Sequence, residues 1–76
     1  NLLGCRVAQA LPRLEAFLDQ AVLSNQKTIR VLHGVGSGVL RKAIREYLSH
    51  SAYCEGFHEA PVAEGGSGTT IVDLAV

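Results

Sequence analysis

Apolar residues early in the chain recur every three or four positions, at Val7, Ala10, Leu11, Leu14, Phe17, Leu18 and Ala21. That spacing predicts a helix with a single apolar stripe. Pro12 falls inside it, and because a proline in a helix interior forfeits a hydrogen bond, a late start or a slight kink is expected there. Ser24-Asn25-Gln26 closes the helix in a polar turn. From Thr28 to Leu32 the pattern changes to alternation with β-branched residues, as in a half-buried strand. Gly34, Gly36 and Gly38 break that strand, and a second helix follows on Val39, Leu40, Ala43, Ile44, Tyr47 and Leu48. Ser37 is its expected cap, with an end near residues 49–51. Residues 53–60 contain a short strand stopped by Pro61, and residues 64–68 form a loop. Residues 70–76 form a last strand with Thr70, Val72, Leu74 and Val76 on one side. Asn1 to Gly4 reads as the remnant of a first strand.

The predicted order is therefore β-α-β-α-β-β. Helical crossovers joining the first three strands imply parallel neighbours with right-handed connections, whereas the last strand should run antiparallel to its neighbour. Two single-sided helices fit one face of a sheet. The fold class expected is α/β, a two-layer sandwich with a four-stranded mixed sheet and both helices on one face.

Length and composition narrow this further. Seventy-six residues make one domain, and a chain of this size removes only about 60% of its surface from water on folding. A 47% hydrophobic content suits a small core and excludes a disordered tail. No apolar run reaches the roughly 18 residues of a membrane span, and no leader peptide is visible, so a soluble, cytoplasmic protein is expected. The first residue is not Met, and the chain reads as a domain excised from a longer protein. Cys5 and Cys54 lack any CxxC spacing and are expected to be reduced apolar residues. A zinc site on Cys54, His58 and His50 would need residues 53–58 to be helical, so no metal site is expected.

Net charge is zero, but its distribution is uneven. All seven Lys and Arg fall within residues 1–45 against two acids, leaving that part at +5 and residues 46–76 at −5. One basic and one acidic surface would follow, unless the fold interleaves them.

The glycine turn carries the most chemistry. Three glycines in five residues permit positive φ and close approach to a ligand. The free amides and positive dipole end of the following helix favour an anion. Arg41, Lys42 and Arg45, on the polar side of that helix, suit phosphate contacts that read no sequence. Arg6 and Arg30 extend the candidate patch. An i,i+4 pair between Lys42 and Glu46 would hold Lys42 away from a ligand. His33, at the end of the strand, has two readings. It either donates to phosphate or acts as acid or base, or it fixes the loop by bonding a backbone carbonyl. A dinucleotide fingerprint fails because the third glycine of GVGSGV comes one residue early, and a Walker A loop fails because no Lys-Ser/Thr pair follows.

His33-Gly34-Val35-Gly36 resembles the HGxG motif of the Smr (small MutS-related) domain. Leu2 to Ala10 resembles that family's leader, and Glu64 to Val72, EGGSGTTIV, resembles its C-terminal EGGxGxTxV segment. The wording is most similar to the C-terminal Smr domain of bacterial MutS-like proteins of the second type. This resemblance implies DNA or RNA as partner, the rest of a MutS-like chain as neighbour, and roles in DNA recombination control or in rescue of stalled ribosomes. For some members it implies nicking endonuclease or endoribonuclease activity. It also places Gly65 and Gly66 beside the HGxG turn as part of the binding edge, and leaves His33 as the candidate catalytic residue. The family leader resembles L-D-x-R/H-G, and here Asn1 and Leu3 occupy its acidic and basic positions, so binding with slow cleavage is expected. No cofactor is expected, a dependence of any nicking on Mg²⁺ or Mn²⁺ is left open, and a non-catalytic protein-interaction domain is the remaining alternative.

Overall fold

The computed structural model describes residues 1–75. Its elements are α1 (Val7–Leu23), β1 (Thr28–Leu32), α2 (Val39–Ser49), β2 (Cys54–Glu59) and β3 (Thr69–Leu74), with short 3-10 turns at Val62–Glu64 and Gly66–Gly68. Among the described residues the sheet has three strands in the order β1-β3-β2, and both pairings are antiparallel.

This corrects the expected four-stranded mixed sheet in two respects. Leu2 donates its amide to the Leu32 carbonyl at 2.7 Å beside the outer edge of β1. Gly4, with φ of 77°, then turns the chain into α1, so the contact does not extend into a ladder and Asn1 to Gly4 is not a strand. The second correction concerns the centre. β1 and β2 run in the same direction and are joined through α2, as expected, yet β3 inserts between them. Burial decides that order. Five of the six β3 residues are buried, which suits a central strand, whereas β2 exposes Glu55, His58 and Glu59 and carries a bulge between Cys54 and Gly56, features of an edge. The expected last strand accordingly starts one residue earlier and ends at Leu74, and Val76 lies outside the described residues.

Both helices lie on one face of the sheet. Ala10, Leu14, Leu18 and Ala21 of α1 and Ile44 and Leu48 of α2 share one core with Ile29, Val31, Val72 and Leu74. Ile29 sits opposite Val72, so the alternation of each strand turns the same side to the helices. Pro12 neither delays nor ends α1, which starts at Val7 and runs through it. Pro12 and Ala8, whose carbonyl loses its partner, are both on the exposed side of the helix.

Leu18 is fully buried in this core. Leu18→Ala should therefore lower stability by about 2–5 kcal/mol. Pro12→Ala, on the solvent side, should raise the urea midpoint, because it restores a helix donor.

Candidate functional site

The glycine turn leads from β1 to α2 and is stitched to the loop before β3. His33 and Gly34 both donate their amides to the Gly68 carbonyl, at 3.0 and 2.9 Å. Two segments far apart in sequence, HGVG and the end of EGGSG, thus meet, and the contact is made by Gly68. Gly34 has a φ of 79°, which favours glycine, and its bare backbone lets Leu3 Cδ2 lie within 2.8 Å of where a Cβ would stand.

His33 points inward. Ile29, Val31 and His33 share the core-facing parity of β1, and the His33 ring is only 5% exposed. Its Nδ1 lies 2.7 Å from the Gly34 carbonyl, which can only accept, so Nδ1 carries the proton. Nε2 lies 2.8 Å from Thr70 Oγ1 and accepts from that hydroxyl. Both nitrogens are occupied within the protein. This is the loop-fixing arrangement, and it also explains why the fully buried Thr70 is tolerated on the core face of β3.

α2 starts differently from expectation. Its N-cap is Gly38, left-handed with φ of 85°, and no side chain caps the helix, so Ser37 does not fill that role. The first helical bond runs from the Lys42 amide to the Gly38 carbonyl at 3.0 Å. Gly38, Arg41, Lys42, Arg45 and Glu46, spaced by three and four, then line a shallow groove of about 420 Å³ along the first turns. The three helix cations and the turn's last glycine are thereby brought together.

The charges around the groove are partly interleaved. Arg41 pairs with Glu59 of β2 at 3.3 Å, while Lys42 and Glu46 form no ion pair among the described residues. Arg41 Nε and Arg45 Nε and Nη2 are buried without a hydrogen-bond partner. Arg30 does not join them. It lies on the edge strand, bridged to Glu64, next to a small cavity that it lines with Arg13 and Phe17. Arg6 is exposed at the start of α1 and is not among the groove residues. The two acids that return to Arg41 and Arg30 come from the acidic part of the chain, so the charge halves do not become separate faces.

Sequence reasoning left Thr70 out of the site. The available signal was alternation: extending Ile29 and Val31 by two puts His33 on the buried face, where it needs a polar partner. Among the described residues no three His, Cys, Asp or Glu side chains gather into a metal-binding group. Cys5 and Cys54 are free thiols, and burial pushes the Cys54 thiol up from its ordinary value, away from the thiolate form. No helix of the described residues is long and apolar enough to cross a membrane.

Comparison with known proteins agrees with this geometry. The family model of the Smr domain matches residues 1–75. The chain is 42% identical over 74 residues to proteins named endonuclease MutS2 from Streptococcus thermophilus and from Exiguobacterium sibiricum, covering 97% of this chain and 10% and 9% of theirs. It thus spans about a tenth of the length of these curated relatives. The crystal structure of the Smr domain of Thermus thermophilus MutS2 superposes with a TM-score of 0.97 at 44% identity, covering 99% of this chain and 94% of that one. YdaL, a stand-alone small MutS-related protein from Escherichia coli, shares the fold, with a TM-score of 0.94 at 23% identity over 100% of this chain and 63% of its own.

The His33–Thr70 bond makes a direct prediction. Thr70→Val removes the hydroxyl that bonds Nε2 and strands a buried nitrogen, which should cost about 1–3 kcal/mol in urea denaturation. Thr70→Ser keeps the hydroxyl and should be clearly milder.

Proposed function

The chain belongs to the Smr domain family, and we propose that it is the nucleic-acid-binding part of a longer MutS2-like protein, holding the sugar-phosphate backbone at the α2 groove and cleaving it slowly. One observation carries this reading: Gly38, Arg41, Lys42 and Arg45 line one groove along the first turns of α2. Three cations on one helix face suit the phosphates of a nucleic-acid backbone, which they can contact without reading sequence. The uncapped start of α2 adds amides and a dipole of the same preference. DNA and RNA share the phosphate backbone that these groups suit. The relatives' name, endonuclease MutS2, favours internal cleavage of a nucleic-acid strand, and we take DNA nicking as the first activity to test.

Slow cleavage follows from what the edge offers. Hydrolysis needs a positioned acid or base beside the phosphate, typically worth about 10² to 10⁴ in rate. His33 has both nitrogens engaged, and the Asn1 side-chain oxygen accepts from the Leu3 amide at 2.9 Å and has no ionisable proton. In this reading the domain serves the parent protein, acting in the cytoplasm on DNA during recombination, mainly as a grip.

Binding should weaken steeply with salt. Replacing Arg41, Lys42 and Arg45 together by Ala should flatten the slope of log affinity against log salt, by about one unit for each phosphate no longer neutralised. Glu59→Gln, which frees Arg41, should tighten binding at low salt. An unchanged slope in the triple variant would refute the groove as the phosphate site.

Cleavage is measured on supercoiled plasmid and single-stranded RNA, with and without Mg²⁺ or Mn²⁺. Asn1→Asp combined with Leu3→Arg should raise plasmid nicking above that of the unchanged chain. Vigorous nicking by the unchanged chain, with no gain from the double change, would refute slow cleavage.

A further inference from the structure

Three of the large apolar side chains that the protein exposes lie at or beside the glycine turn: Leu3 at 53%, Val35 at 61% and Val39 at 61%. They are not scattered. Leu3 Cδ2 covers Gly34, Val35 Cγ2 approaches Gly68, and Val39 is the first residue of α2, directly after the Gly38 that lines the cationic groove. Consecutive Cα atoms are about 3.8 Å apart, so the whole Gly34 to Gly38 segment spans at most about 15 Å. An apolar lip and a cationic groove therefore adjoin along one short turn. Isolated exposed apolar residues such as Leu23 and Val62 need no explanation, but a cluster beside an anion groove does.

We infer that this lip receives unstacked bases, so that the domain binds nucleic acid preferentially where the strand is single or distorted. The inference rests on the nucleic-acid reading above and adds the form of the substrate. A duplex turns its phosphates outward and keeps its base faces stacked inside, so it satisfies the groove and leaves the lip in water. A single strand offers both surfaces at once, phosphate to Arg41, Lys42 and Arg45, and apolar base faces to Leu3, Val35 and Val39. Leucine and similar apolar side chains act elsewhere as wedges at unstacked base steps, and apolar contact with a base face demands no particular sequence.

The test uses fluorescence anisotropy of this chain with labelled single-stranded oligothymidine and with a duplex of equal length, at one salt concentration. The single strand should bind more tightly. Val35→Ser with Val39→Ser should weaken single-strand binding about five- to tenfold, as the lost apolar burial of two half-exposed valines implies, while leaving duplex binding and the salt slope unchanged. Both sites are exposed, and an unchanged thermal midpoint checks that the variant folds. Val35→Trp supplies a second readout in a chain without tryptophan: it should tighten single-strand binding, and its fluorescence should be quenched by the oligonucleotide but not by the duplex. Equal affinity for both ligands, an equal weakening on both in the serine variant, or quenching by the duplex would overturn the inference while leaving the phosphate groove standing. Failure to bind either ligand would overturn the underlying reading as well.

Discussion

The Gly68 carbonyl, accepting from the amides of His33 and Gly34, is the contact on which the functional edge depends. It ties the end of β1 to the start of β3 and so continues the β1–β3 ladder past its last paired residues, Leu32 and Thr69. From there the chain is free of the sheet, and the glycines carry it across to α2. The His33 ring locks the same junction from inside, bridging the Gly34 carbonyl and the Thr70 hydroxyl. A turn built of glycines would otherwise be the most mobile part of the fold, since glycine has the largest conformational freedom to lose. Here it is held by two amides and an imidazole. The amides and cations that follow are thereby presented in a fixed arrangement, which lowers the ordering cost of binding.

Local patterns in the sequence were enough for the elements, and insufficient for their pairing. The stripes of α1 and α2 and the alternation of β1 all mark real elements, because each reports how a segment meets one apolar surface. Strand order depends on which strand is buried on both faces, and that comparison spans the whole chain. Thr69 to Leu74 does not look more apolar than other strands, with two threonines and an aspartate, yet Thr70 is buried because His33 satisfies it. The fourth strand was misjudged for a related reason: Leu2 is a core residue with a strand-like contact, but Gly4 ends that contact at once.

The site divides in the same way. Gly38, Arg41, Lys42 and Arg45 could be grouped from sequence, since helical spacing alone aligns them. The partners that adjust them could not. Glu59 reaches Arg41 because β2 lies next to α2 in space, and Glu64 reaches Arg30 across the sheet edge. Only a known topology brings residues this distant in sequence together. Arg30 was placed in the patch by charge type, whereas its strand position carries it elsewhere.

A chain of zero net charge can still suit a polyanion, and the arrangement shows how. Long-range attraction toward nucleic acid is weak, because the acids are dispersed among the bases and exposed pairs such as Arg30–Glu64 are screened by salt. What remains is short-range: three cations along one groove at the start of an uncapped helix. Such a site gains little from steering and much from fit. Its affinity then rests on a few contacts at a defined spacing, and an adjoining apolar surface can contribute a comparable share. Under the proposed reading, that balance makes the form of the nucleic acid, more than its charge, the natural basis for discrimination.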